Sequence, residues 1–211
     1  LGSADPTGLF DMTTQTWATP FLETINITAE QLPAVYPSGH ILGELTHPAA
    51  ALTGLHPGLP IIAGLGDGQA AGLGTGVCQP GIAYLNLGTA VVSGVQTTSY
   101  LTDASFRTMY SGIPHQYFLE TVLLGGTYTI NWSIENFPPV LTKSGTYPVE
   151  ALDSAAASIP PGCEGLILLP YWNSVMNPYW DETASGAIIG WRGHHTRAHL
   201  HRAILEGIAF E

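Results

Sequence analysis

The stretch "GLGDGQAAGLGTGV", residues 64–77, sets a single acidic side chain, Asp67, among Gly, Ala, Leu, Gln, Thr and Val. The run before it, "LPIIAG" (59–64), is continuous, apolar and of strand length, and it ends on glycine. That is the pattern of a strand covered on both faces. The residues after Asp67 are rich in Ala and Leu but interrupted by glycines, which predicts a tightly packed helix of modest intrinsic propensity. A strand that runs into glycine and then opens a helix brings backbone or a short side chain close to a ligand. Asp67 stands at that opening, and two readings of it remain. Asp is a favoured N-cap, accepting N–H bonds from the first turn. It is also a carboxylate flanked by Gly66 and Gly68, and that space serves an approaching ligand better than it serves a cap.

Working outward, "TPFLETINITAEQLP" (19–33) predicts a short helix carrying Phe21, Leu22, Ile25 and Ile27, with Thr19 as N-cap before Pro20. "GHILGEL" (39–45) reads as a short strand that stops at His47-Pro48. Beyond residue 80 the character changes. "GIAYLNLG", "AVVSGVQT", "SFRTMYSG" and "QYFLETVLL" are short β-rich runs, which predict a meander of antiparallel strands. "GGTYTINWSIENF" (125–137) is a helix candidate with Ile130, Ile134 and Phe137 on one face. "GLILLPYW" and "SGAIIGW" read as two further buried strands around the loop "NSVMNPYWDETA". The closing stretch, 196–211, reads as an amphipathic helix capped by Thr196, with Leu200, Ala203, Ile204 and Ile208 together. "VCQPG" (77–81) is the best domain boundary.

Composition narrows the function. The 211 residues suffice for a real core, and 45% hydrophobic against 10% charged residues excludes a disordered chain. Sixteen acidic residues face five basic ones, Arg107, Lys143, Arg192, Arg197 and Arg202, so no basic stripe exists for nucleic acid. No run reaches ~18 apolar residues without a break, so no membrane helix is expected. Neither a basic n-region nor an apolar h-region opens the chain, and Cys78 and Cys163 fit no CxxC pattern. A reducing cytoplasm is the default location. Residue 1 is not Met and the last helix runs to Glu211, which reads as a piece of a larger protein.

Three smaller features have both an ordinary and a chemical reading. "LNLGTAVVSG" (85–94) is a hairpin whose Gly88-Thr89 turn either simply reverses the chain or offers amides and a hydroxyl to phosphate oxygens. His195 and His199 are four apart, a metal-ligand spacing, but HExxH is absent and a solvated helix start accounts for the cluster; no metal ligand is assigned. The aromatic residues of 170–181 either line a sugar pocket or anchor a loop in a core.

Five segments in order, "SADPTGLFDMTTQTW", "LPIIAGLGDGQAAGLGTGVCQPG", "YLNLGTA", "LILLPYW" and "GAIIGWRGHHTRAHLHRAILEGIAFE", resemble the FGGY carbohydrate kinases. The resemblance implies an α/β, actin-like ATPase (ribonuclease H-like) fold, here parts of two domains separated by a cleft. Residues 1–80 would be the C-terminal part of a sugar-binding domain and 81–211 the N-terminal part of a nucleotide-binding one. It implies ATP-dependent phosphorylation of a small sugar, a pentulose such as D-xylulose, with ATP and Mg²⁺ as cofactors. Asp67 matches the general base, Gly68 the adjoining sugar contact, Gly88 and Thr89 the second phosphate loop, and Asn131 a polar nucleotide contact. Relatives often carry Asn or Gln where Gly68 stands, and "GER-P" where this chain has "NSVMNP" (173–178); Trp191 replaces an aliphatic residue. The first phosphate loop, the adenine site and most Mg²⁺ aspartates of the family match nothing here, so these 211 residues alone are expected not to turn over ATP. Neither nucleic acid nor membrane is an expected partner, and a homodimer is compatible with the resemblance. Two other readings are a non-catalytic actin-like nucleotide-binding or regulatory protein and a β-rich extracellular sugar-binding module.

Overall fold

The structure is a computed structural model and describes residues 1–137 and 149–211. The chain divides into two compact units. One holds Leu1–Tyr84, Gly94–Asp103 and Arg107–Glu120; the other holds Leu85–Ser93, Ala104–Phe106 and Thr121–Glu211.

The first unit opens with a small antiparallel hairpin, β1 (Phe10–Asp11) and β2 (Thr16–Trp17), in which the Phe10 and Trp17 rings meet edge-on at 5.3 Å. Helix α1 (Thr19–Thr24) follows, and it corrects the expected cap: Ala18 is the N-cap and Thr19 already helical. Pro20 fits the first turn because its missing N–H has no helical partner there anyway. Only Leu22 of α1 is buried. Strand β3 (Ile41–Glu44) pairs antiparallel with β4 (Pro60–Ile62), and α2 (His47–Thr53) lies between them in sequence. The sequence reading passed over α2 because His47-Pro48 resembled a strand stop. Thr46, whose hydroxyl accepts the Ala49 amide, and a proline in the first turn are a helix start. Strand β4 is not covered on both faces as expected: Ile61 and Ile62 are 45% and 48% exposed. Among the described residues β3 and β4 pair only with each other, and every residue of both strands is exposed. Helix α3 (Asp67–Gly74) opens after β4, with Gly66 as its N-cap. The core of this unit gathers Ala4, Phe10, Met12, Tyr110 and Tyr117.

A four-stranded sheet contains β5 (Ala83–Leu87), β6 (Val91–Thr97), β7 (Arg107–Tyr110) and β8 (Tyr117–Leu123) in the order β5-β6-β8-β7. A plain meander would place them in sequence order. Instead β8 lies between β6 and β7, because the long connection 98–106 carries β7 to the edge before β8 returns antiparallel beside it.

The second unit continues with α4 (Thr127–Asn136), α5 (Val149–Ala157), β9 (Ile167–Leu169), β10 (Ala187–Ile189) and α6 (Arg197–Phe210). The buried residues of α4 are Thr129 and Ser133, one position before the expected Ile130 and Ile134. Helix α5 was not foreseen. Strands β9 and β10 pair antiparallel, but of the two only Leu168 is buried; Ile167 and Ile189 are exposed. Helix α6 is capped at Thr196 as expected, and it buries Leu200, Ala203 and Ile204 against Ile159, Cys163, Leu166 and Leu168. Gly207 lets α6 approach so closely that a Cβ there would run into the Leu168 carbonyl oxygen of β9. Trp172 joins this core and meets Trp132 at 5.0 Å, while the Trp180 indole donates to the Ala104 carbonyl at 2.7 Å. Trp172 and Trp180 thus anchor the loop 173–178, while Tyr179 is exposed. Among the described residues both cysteines are free, and no helix is long and apolar enough to cross a membrane.

Candidate active site

Asp67 is the first residue of α3, not its N-cap, and it is exposed. Its carboxylate has no hydrogen bond or ion pair among the described residues. The two flanking glycines have different surroundings. A Cβ on Gly66 would collide with Gln69 Oε1, the end of a side chain that must swing aside to admit it. A Cβ on Gly68 would meet nothing nearer than Glu120 Oε1, at 4.0 Å. Packing does not demand glycine at 68, which leaves open space beside an unpartnered carboxylate.

Beneath α3 lies a group that the sequence did not reveal. Gly72 lets the helix rest on aromatic rings: a Cβ there would stand 2.8 Å from Phe118 Cζ and 3.2 Å from Tyr84 Cδ1. Tyr84 meets Phe118 edge-on at 5.2 Å and is confined on its other side by Gly94, whose Cβ would fall 2.6 Å from Tyr84 Cε1. The Tyr84 hydroxyl donates to Glu120 Oε1 at 2.5 Å, and Arg107 Nε donates to Glu120 Oε2 at 2.5 Å. Glu120 is 1% exposed, so this ion pair is buried on the acid side, while the Arg107 side chain is 39% exposed. Burial first, then the Glu120 carboxylate, push the Tyr84 phenol well above the ordinary tyrosine value, so Tyr84 remains a donor. Asp5 lies within the field of Arg107 and Glu120, and its carboxylate accepts the Tyr110 amide at 2.6 Å.

Gly88, Thr89 and Asn131 belong to the second unit. Gly88 and Thr89 form the bend between β5 and β6, and that bend is tied to the start of α4. The Thr127 amide donates to the Gly88 carbonyl at 2.9 Å and the Tyr128 amide to the Thr89 carbonyl at 3.3 Å. Gly126 makes the approach possible, since a Cβ there would stand 2.8 Å from Gly88 O and 2.9 Å from Thr89 O. The Gly88 amide turns back to the Ala90 carbonyl at 3.1 Å. The Thr89 hydroxyl is exposed and without a partner among the described residues. Asn131 is exposed one turn beyond Thr127, on the same helix face. The structure therefore brings the bend and the α4 face bearing Asn131 into one arrangement, and it places Asp67 and Gly68 together on α3.

Of the histidines expected at a solvated helix start, His194 is exposed but His195 is buried, at 8% exposed. Ligand atoms of Glu164, His194 and His195 lie within 4.8 Å of one another, a spacing that could hold a cation. The ring orientations argue for something else. The Arg192 amide donates to His195 Nδ1 at 2.9 Å and the Thr196 amide to His199 Nδ1 at 3.1 Å. A neutral ring that accepts at Nδ1 carries its proton on Nε2, whereas a metal-bound histidine usually lends one nitrogen and donates from the other. Glu164 Oε2 meets His194 Nε2 at 3.2 Å and His199 Nε2 at 3.4 Å, so the cluster is arranged around a carboxylate. A cavity of about 350 Å³ in the second unit, lined by Leu85, Leu87, Val122, Met176 and Ile208 among others, contains none of the expected site residues.

Residues 1–74 match the N-terminal domain of the FGGY family of carbohydrate kinases, and residues 83–211 match the C-terminal domain of that family. The chain is 26% identical to a xylulose kinase of Escherichia coli over 212 residues, covering all of this chain and 42% of that protein. It is 34% identical to a glycerol kinase of Methylibium petroleiphilum over 217 residues, covering 99% and 41%. The crystal structure of xylulose kinase from Rhodospirillum rubrum superposes with a TM-score of 0.81 at 31% identity, covering 96% of this chain and 40% of that one. The chain thus spans about two-fifths of the length of the relatives it matches. The α/β, actin-like ATPase fold expected from the sequence is the fold of these structural neighbours.

Proposed function

Since the chain belongs to the FGGY family of carbohydrate kinases, we propose that it carries the proton-accepting side of an ATP-dependent sugar kinase, with Asp67 as general base. The observation that supports this most is the exposed, unpartnered Asp67 carboxylate beside a glycine that packing does not require. In such a reaction Asp67 takes the proton of a sugar hydroxyl while that oxygen forms its bond to the γ-phosphorus and the bond from that phosphorus to the departing nucleoside diphosphate breaks. Gly68 leaves room for the sugar beside that carboxylate. ATP, when bound, supplies the γ-phosphoryl group. The Thr89 hydroxyl donates to phosphate oxygens, Gly88 keeps the bend free of a side chain beside them, the amides of α4 hold that bend in place, and Asn131 contacts the nucleotide. Mg²⁺, when bound, would neutralise phosphate charge; no residue of this chain is assigned to hold it. Residues 1–80 would then belong to the sugar-binding domain and 81–211 to the nucleotide-binding one.

The acceptor we propose is a pentulose such as D-xylulose, a reading supported by the xylulose kinases among the relatives. Glycerol kinases match comparably, so a polyol is the direct competitor. The same reading places the protein in the cytoplasm, where ATP is available. The test is ADP release by a full-length protein containing this chain, measured with D-xylulose, other ketoses and glycerol in parallel. Stimulation by D-xylulose above all others is expected. Nucleotide binding with no sugar-stimulated release would instead identify a non-catalytic nucleotide-binding protein.

A further inference from the structure

Helix α3 has little intrinsic reason to hold its first turn in one place. It is eight residues long, and three of them, Gly68, Gly72 and Gly74, are glycine. Isolated helices shorter than about 12 residues are marginal, and each interior glycine weakens them further. Where Asp67 stands is therefore decided by what α3 rests on. Gly72 lies against Phe118 and Tyr84, and Gly68 faces the Glu120 carboxylate.

No contact of the helix orients that carboxylate. Tyr84 from β5 holds one oxygen and Arg107 from β7 the other, while Glu120 itself sits on β8. Three strands thus converge on one buried carboxylate, whose Oε1 lies 4.0 Å from where a Cβ on Gly68 would stand, in the first turn of α3. The clamp fixes that carboxylate against the first turn, and the first turn carries Asp67. We propose that Glu120, clamped by Tyr84 and Arg107, is a positioning residue for the reaction at Asp67. This rests on the reading of Asp67 as the base.

The test compares Tyr84→Phe, Glu120→Gln, Arg107→Lys and Asp67→Asn in a full-length protein containing this chain, assayed below the melting midpoint of every variant. Tyr84→Phe and Glu120→Gln remove, respectively, one hydroxyl and one charge. Each is expected to lower kcat by about tenfold or more with KM for the sugar within about twofold, because a base displaced by a fraction of an ångström still lets substrate bind. Arg107→Lys keeps the charge opposite Glu120 and is expected to retain more activity than Glu120→Gln. If Asp67→Asn is inactive while both Tyr84→Phe and Glu120→Gln keep wild-type kcat, the positioning role is wrong and the base stands. If KM rises and thermal stability falls in step with the loss of kcat, the group merely supports the fold and the proposal is likewise overturned. If Asp67→Asn keeps full activity, the reading of the base fails and the positioning role fails with it.

Discussion

Gly66 and Gly68 flank the same aspartate, yet a side chain at each meets different neighbours. Gly66→Ala pushes aside Gln69 Oε1, the tip of a side chain that can turn to another rotamer, and is expected to cost no more than about 1 kcal/mol, read as a slightly lower denaturant midpoint. Gly68→Ala meets only Glu120 Oε1 at 4.0 Å and removes a helix-weakening glycine, so it is expected to leave stability unchanged or raise it by up to about 1 kcal/mol. In a full-length protein it is nevertheless expected to lower kcat/KM, since the new methyl group takes space proposed for the sugar. A titrating residue lies nearby. Burial holds Asp5 above its ordinary value of 3.8, an effect larger than the opposing Tyr110 hydrogen bond and Arg107 charge. The folded state therefore keeps the Asp5 proton at pH values where the unfolded chain has lost it. Stability contributed by this group grows as pH falls from neutral toward 3.8. Melting midpoints of wild type and Asp5→Asn at pH 7 and at about pH 4.5 are expected to show the wild type gaining on the variant at the lower pH.

At the scale of elements, how well the sequence could be read depended on how far each segment's chemistry was local. Strand β4 and the helix that opens at Asp67 were legible because a strand ending in glycine and a small-residue helix are adjacent in the chain. The cap at Thr196 and the buried face of α6 followed from helical spacing in the same way. Helices α2 and α5 were missed for different reasons: a proline in a first turn was taken as a strand stop, and an alanine-rich run carried few periodic apolar residues. The order β5-β6-β8-β7 was hidden because strand pairing depends on partners far apart in sequence. The Tyr84, Arg107 and Glu120 group was hidden for the same reason, although each of the β7 and β8 runs carries one lone charge, and a lone charge in an apolar strand calls for a partner. The bend at Gly88-Thr89 offers a further test at this scale. Gly126→Ala drives a Cβ toward the carbonyl oxygens of Gly88 and Thr89, at 2.8 and 2.9 Å, and backbone there cannot yield as a side chain can. A loss of roughly 1–3 kcal/mol is expected, with a raised KM for ATP in a full-length protein.

Over the whole molecule, the two units divide the proposed chemistry, with Asp67 and its floor in one and the Gly88-Thr89 bend, α4 and Asn131 in the other. Each has its own core, one around Phe10, Tyr110 and Tyr117, the other around Leu168, Leu200 and Ile204. The chain spans about two-fifths of the length of its kinase relatives, so the kinase reading is tested in a protein of their length. Its central claim is that Asp67 accepts the proton of the sugar hydroxyl, and the most direct measurement is the kcat of sugar-dependent ADP release by Asp67→Asn in such a protein. Asparagine keeps the size and loses the base, so kcat is expected to fall by at least about a hundredfold while the variant still folds. A variant that retains kcat within a few-fold of wild type would contradict the account.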